Sequence, residues 1–239
     1  MFNHSILNNK FNIGDMFAFS KYRREQWDND PDMFNSFGVL LFCGLQGSGK
    51  SLSAFDLIYN VCQKKPDVVI ISNVEISFHD YIKYEGIETV LNTDNGTKGI
   101  ILFLDEIANQ FPSAMSKDIS SDWFTITNML RKRRMLIIGT TPVFSRISKP
   151  FREQFEYVCL CSQKLGGLIQ DNYWYRCNVE QTIIGDSDLE NTHNMQLVKH
   201  HWFTISKRNV QRYDTSEVVN VVKSHDRDSR NKKSNWQYL

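Results

Sequence analysis

The chain has 239 residues, 41% hydrophobic and 23% charged, with a formal net charge of +1. That is enough for one large α/β domain with extensions and a substantial buried core. The near-neutral balance excludes a global field for nucleic acid or membrane, so any such contact must come from a local patch. No apolar stretch approaches the ~20 residues needed to span a bilayer, and the N-terminus lacks the basic-then-apolar pattern of a signal peptide.

In chain order, residues 1–36 read as a polar extension rich in aromatics (Phe2, Phe11, Phe17, Phe19, Tyr22, Trp27, Phe34), which suggests packing on the core or on a neighbouring subunit. The core domain is expected over residues 37–222. It opens with Gly38-Val39-Leu40-Leu41-Phe42-Cys43, an apolar run that predicts a strand. Gly44-Leu45-Gln46-Gly47-Ser48-Gly49-Lys50-Ser51 follows, a complete GxxxxGK[ST] phosphate-binding loop. After it, Leu52, Phe55, Ile58, Tyr59 and Cys62 recur at helical spacing. Strand, glycine loop and helix in that order make an anion site: backbone N–H groups close around phosphates, and the helix N-terminus adds partial positive charge. Residues 44–52 would contact the nucleotide, with Lys50 reaching the β- and γ-phosphates and Ser51 ligating Mg²⁺.

Further strands are expected at Asp67-Val68-Val69-Ile70-Ile71-Ser72-Asn73, at Gly99-Ile100-Ile101-Leu102-Phe103-Leu104, at Met135-Leu136-Ile137-Ile138-Gly139 and at Tyr157-Val158-Cys159-Leu160-Cys161. Residues 74–98 are mixed, with turn signals at Asn92 and Asp94-Asn95-Gly96. A helix is expected where Ile119, Trp123, Ile126 and Leu130 recur. Apolar strands alternating with helices predict a mostly parallel sheet covered on both faces. Beyond residue 165 the alternation at 172–177 and 201–207 predicts antiparallel edge strands. Residues 223–239 read as a polar tail.

Asp105-Glu106 at the end of the 99–104 strand fits a Walker B element. Asp105 would hold the Mg²⁺ shell, and Glu106 would orient and deprotonate an attacking water. The alternative is that Asp105 caps a helix that Glu106 begins. An acidic pair here suits water as nucleophile, hence nucleoside triphosphate hydrolysis rather than a kinase. Thr140 and Thr141 end the next strand; a hydroxyl there senses the γ-phosphate, with Thr141 preferred, or belongs to a turn before Pro142. From Trp123 to Arg152 there are seven basic residues and no acidic one: Arg131, Lys132, Arg133, Arg134, Arg146, Lys149 and Arg152. An arginine finger, a DNA-backbone contact along 131–152 and a solvated helix end compete for them. Arg131 and Arg134, three apart at a helix end, are the finger candidates.

Five cysteines (Cys43, Cys62, Cys159, Cys161, Cys177) include no CxxC pair, and several lie in apolar runs, so they read as small core residues. His200 and His201 show no metal-ligand spacing to them.

The phosphate loop, Asp105-Glu106 and the stretch from Arg131 to Thr141 together resemble the FtsK–HerA class of P-loop ATPases. Within it the chain is similar to the phage branch: zonula occludens toxin-like (Zot-like) filamentous-phage assembly ATPases and viral genome-packaging ATPases. Ile71-Ser72-Asn73-Val74, residues 130–142 and 147–157, and Arg212-Tyr213-Asp214-Thr215 extend the resemblance over roughly residues 37–220. It implies a RecA/FtsK-like core, ATP and Mg²⁺ as ligands, and a homo-oligomer, usually a ring. It maps the Walker lysine, the acidic pair and the post-strand sensor onto Lys50, Asp105, Glu106 and Thr141. Thr141 departs from the Gln that many members carry. The assembly ATPases continue into a transmembrane helix and a further domain, whereas this sequence stops at Leu239. That favours a DNA-translocating packaging motor, in the host cytosol or virion-associated, over virion extrusion with a membrane partner. A capsid or membrane protein is the further partner expected, and a slowly hydrolysing nucleotide switch is a third reading.

Overall fold

The computed structural model describes residues 13–115, 120–175 and 197–206. Cys177, residues 212–215 and the polar tail lie outside the described residues, as do Ile119 and Lys207 at the ends of two expected elements. The chain divides into two compact units, Met1–Met33 and Phe34–Leu239. The first contains α1 (Ile13–Asn29), a helix over much of the expected extension, with Phe17, Phe19 and Tyr22 exposed.

The second unit is an eight-stranded sheet. Its strands are β1 (Gly38–Cys43), β2 (Val69–Ser72), β3 (Tyr81–Lys83), β4 (Ile100–Leu104), β5 (Met135–Thr141), β6 (Tyr157–Lys164), β7 (Leu168–Tyr175) and β8 (Leu197–Thr204), in the order β3-β2-β4-β5-β1-β6-β7-β8. Pairing is parallel from β3 through β6 and antiparallel from β6 to β8. The helices are α2 (Lys50–Lys64), α3 (Ile87–Asn92), α4 (Ser121–Arg133) and the four-residue α5 (Lys149–Arg152). This is the P-loop NTPase architecture expected, antiparallel edge included.

The continuous apolar runs make sense once both faces are covered, because a strand buried on both sides has no polar alternation to show. Along β1, Val39, Leu41 and Cys43 enter one core, with Trp123, Ile126 and Leu130 of α4. Leu40 and Phe42 enter the other, with Ala54, Phe55, Ile58 and Cys62 of α2. Leu52 and Tyr59, expected on the buried face of α2, sit only half-buried at its margin. α4 starts where Ser120 accepts the N–H of Asp122 at 3.2 Å. It ends at Arg134, held in the left-handed region at φ 48°.

Three further details differ from the sequence reading. β3 is absent from it, because three half-polar residues on an edge strand carry little apolar signal. The expected extension ends too late: Phe34 is 1% exposed and packs where a Cβ on Gly99 would stand only 2.2 Å from its ring. Its N–H also donates to Thr97 O at 2.8 Å. The third concerns the finger candidates. Arg131 and Arg134 do not share a helix face, because Arg134 is the cap beyond α4, and its guanidinium donates to Phe34 O at 3.0 Å and Asn35 Oδ1 at 3.3 Å.

Replacing Phe34 by Ala should cost about 3–5 kcal/mol, as for a large core aromatic. Urea denaturation reads this directly, and a loss below ~1 kcal/mol would return Phe34 to the extension.

Candidate nucleotide-binding site

The site forms at the carboxyl ends of β1, β4 and β5, where parallel register sets three strand ends side by side. Cys43 on β1 is level with Thr141 on β5, and Leu104 on β4 is level with Gly139. The loop leaving β1 therefore meets the acidic pair leaving β4, with β5 between them.

The loop needs its glycines at specific points. Gly49 has φ 90°, and a Cβ there would stand 2.5 Å from Ile169 Cδ1; at Gly44 (φ 155°) a Cβ would stand 2.6 Å from Cys161 O. Gly49 is also the N-cap of α2 and offers no side-chain cap, so the first N–H groups of this 15-residue helix are left for an anion. Lys50 is buried to 8% exposure, and its ammonium donates to Leu45 O at 3.2 Å. Ser48 Oγ is buried without a protein hydrogen-bond partner, as suits a loop built to receive acceptor oxygens. Leu45 is exposed.

Ser51 Oγ donates to Asp105 Oδ1 at 2.9 Å, and Thr140 Oγ1 donates to the same oxygen at 2.6 Å. A hydroxyl and a carboxylate side by side are the hard oxygen donors that Mg²⁺ takes, so the residues present fit that ion. Asp105 is buried, and its backbone is held by an amide: Asp105 N donates to Asn73 Oδ1 at 2.8 Å, and Asn73 Nδ2 donates to Asp105 O at 2.9 Å. The sequence reading places Asn73 at a strand end and in the 71–74 segment of the resemblance, with no site role. A signal was available, since an Asn closing a buried strand next to an acidic strand end can mimic one more backbone partner.

Glu106 takes φ 51°, a left-handed conformation that a non-glycine residue adopts at a cost of order 1–3 kcal/mol. Its N–H donates to Thr140 Oγ1 at 3.0 Å. It precedes a short 3-10 turn, Ile107–Asn109, which no side chain caps, so the helix-cap alternative for Asp105 falls away. Burial pushes the Glu106 carboxyl up from the ordinary range, and the neighbouring Asp105 adds to this; Lys50 and Arg146 pull it back.

The two threonine hydroxyls at the end of β5 have different partners. Thr141 Oγ1 donates to Val143 O at 3.2 Å, the turn role, whereas Thr140 is the hydroxyl that joins Asp105 to Glu106. Sequence alone could not tell them apart, because adjacent strand residues point to opposite faces. The basic stretch also divides. The seven residues of β5, at ~3.3 Å each, put Arg131–Arg134 roughly 20 Å from Arg146 and beyond. Arg133 donates to Val90 O and Thr93 O, and Arg152 lies 5.6 Å over the Phe144 ring. Arg131 and Lys132 remain exposed at the amino end of β5, and Arg146 and Lys149 at the other.

Replacing Asn73 by Leu removes both of its hydrogen bonds to the buried backbone of Asp105, at ~1–3 kcal/mol each. Stability in a denaturant titration should drop by at least about 2 kcal/mol; an unchanged midpoint would show that the amide does not hold Asp105.

A protein-family model described as zonular occludens toxin (Zot) matches residues 38–218. Among solved structures, the N-terminal domain of zonular occludens toxin from Neisseria meningitidis aligns with a TM-score of 0.52 at 16% identity, covering 75% of this chain and 100% of that one. The genome packaging NTPase B204 from Sulfolobus turreted icosahedral virus 2, with ATP-γS, aligns with a TM-score of 0.42 at 11% identity, covering 56% and 78%. No curated protein sequence matches significantly.

Proposed function

Because the chain belongs to the zonular occludens toxin (Zot) family, we propose that it is an ATP-hydrolysing motor that drives virion assembly and extrusion with a membrane partner, as an oligomeric ring. The observation that carries hydrolysis is the junction of Ser51, Asp105 and Thr140, with the raised carboxyl of Glu106 beside it. Family membership supports an ATPase motor. DNA translocation is the second reading, supported by the exposed Arg131 and Lys132 and the exposed Arg146 and Lys149. Among the described residues no helix is long and apolar enough to cross a membrane.

The chemistry follows from charge. Residues 44–52 cradle the triphosphate, and the α2 N-terminus faces it. Lys50 exchanges Leu45 O for phosphate oxygens, which costs little because the present bond is to a neutral carbonyl. Ser51 and Asp105 would hold Mg²⁺, which supplies charge neutralisation at the phosphates. Glu106 orients water for in-line attack and accepts its proton; burial raises its carboxyl pKa, which suits a general base. Thr140 keeps the metal-holding and proton-accepting residues in register. Charge developing on the γ-phosphoryl in the transition state calls for one more cation. Arg131, exposed at the opposite end of β5, suits delivery to a neighbouring subunit, and Arg134 would first have to leave Phe34 O.

Steady-state ATPase of the full chain, with and without double-stranded DNA, tests both readings. Lys50→Ala should abolish tight nucleotide binding or turnover. Glu106→Gln should retain ATP yet lose about 10²-fold or more in turnover, the weight of a general base. Normal turnover by Glu106→Gln would remove Glu106 from the mechanism. DNA stimulation selects the translocation reading, and ATPase indifferent to DNA selects assembly.

The base must be ionised, so kcat/KM should fall as pH drops through the Glu106 pKa, with an acid limb above the ~4.3 of an ordinary glutamate. An acid limb at or below that value refutes the assignment.

Mixed oligomers test the arginines. An Arg131→Ala subunit should regain activity beside a Lys50→Ala subunit if the arginine acts in trans. Lack of rescue for both Arg131 and Arg134 counts against either as a finger.

A further inference from the structure

Away from the phosphate loop, the antiparallel edge of the sheet gathers a second set of reactive side chains. Cys161 on β6 stands opposite Asp171 on β7, which stands opposite His201 on β8. Cys159 occupies the next rung on the same face, opposite Tyr173. The two thiols and the Asp171 carboxylate place one ligand atom each within 4.8 Å of one another, and all three residues are buried. The Cys159 and Cys161 sulfurs are 4.0 Å apart.

We propose that Cys159, Cys161 and Asp171 form a binding site for a thiophilic divalent cation, of which Zn²⁺ is the best match. Two thiolates bound tetrahedrally at ~2.3 Å from one ion would stand about 3.8 Å apart, close to the observed separation. The sulfur pair selects against Mg²⁺ and Ca²⁺, which take oxygen, and toward the borderline-soft ions. The electrostatics agree. A carboxylate pressed against two thiols in a dry core is costly when charged. Binding a divalent cation releases the two thiol protons to solvent and sets two positive charges against the two thiolates and the carboxylate.

The surroundings supply the outer shell. Ser53 Oγ donates to Asp171 Oδ1 at 2.8 Å, and His201 Nδ1 lies 3.4 Å from Asp171 Oδ2. Both are placed to orient the carboxylate, as outer-shell groups do at zinc sites. His201, 36% exposed, marks the solvent end of the rung. The i, i+2 spacing of Cys159 and Cys161 lies outside the usual zinc patterns, and the third donor comes from another strand, so only the strand register assembles the set.

The test uses the full chain with any affinity tag removed. Zn²⁺ content after dialysis is measured by mass spectrometry, and Co²⁺ is titrated as an optical probe. One equivalent per chain is expected, with a thiolate-to-cobalt charge-transfer band and the visible bands of a tetrahedral ion. Cys159→Ser and Cys161→Ser should each weaken Zn²⁺ binding by more than the roughly 10–100-fold typical of losing an outer-shell group. Cys62→Ser, which removes a buried thiol on α2 outside the set, should bind normally. No bound metal, a cobalt spectrum without thiolate ligation, or unchanged binding by Cys161→Ser would each overturn the site. If the serine variants fail to fold by circular dichroism, the wild-type cobalt spectrum still decides, because it reports the sulfur ligands directly. Nucleotide hydrolysis enters none of these readouts, so failure here leaves the ATPase reading standing.

Discussion

Asp105 Oδ1 accepts two hydroxyls, Ser51 Oγ and Thr140 Oγ1, and the site depends on that shared oxygen. The three residues come from three segments that are distant in sequence and adjacent in space. The contact exists because β4, β5 and β1 run parallel and finish at one level. Parallel strands buried on both faces cannot slip by one residue without exchanging their two cores, so register is tightly specified. The polar junction is thus positioned by apolar packing several residues away.

The surroundings of that oxygen divide the labour between two adjacent acids. Asp105 is fully framed: its backbone is clasped by Asn73, and its carboxylate is met by two hydroxyls. Glu106 is left half-buried with a strained backbone and a carboxyl pushed upward by burial and by Asp105. Burial disfavours the charged form of the Glu106 carboxyl. Asp105 thus has its oxygen shared between two hydroxyls, and Glu106 keeps a carboxyl that is not tied to either. Strain at Glu106 is sustained because Thr140 takes its N–H.

The other end of the sheet shows how the same register works on different chemistry. β6 and β7 reach the loop directly: Ile169 fills the space beside Gly49, and Ser53 of α2 bonds to buried Asp171. The antiparallel hairpin is therefore a second wall of the phosphate-loop helix. A buried carboxylate in that wall, flanked by two thiols, is an expensive arrangement for a residue that only supports packing.

The sequence by itself determined the local chemistry. A GxxxxGK[ST] run between a strand and a helix has one backbone use, and apolar runs of four to seven residues separated by helical spacing have one economical layout. The loop, the acidic pair, the doubly covered parallel sheet and its antiparallel edge were all legible for that reason. Tertiary structure decided what depends on facing and on distance. It set the Thr140 hydroxyl on Asp105 and the Thr141 hydroxyl on Val143 O, because neighbours on a strand point opposite ways. It separated one basic stretch into two ends of β5 and tied Arg134 to Phe34. It drew Cys159, Cys161 and Asp171 into one cluster, through a strand pairing that no spacing along the chain encodes.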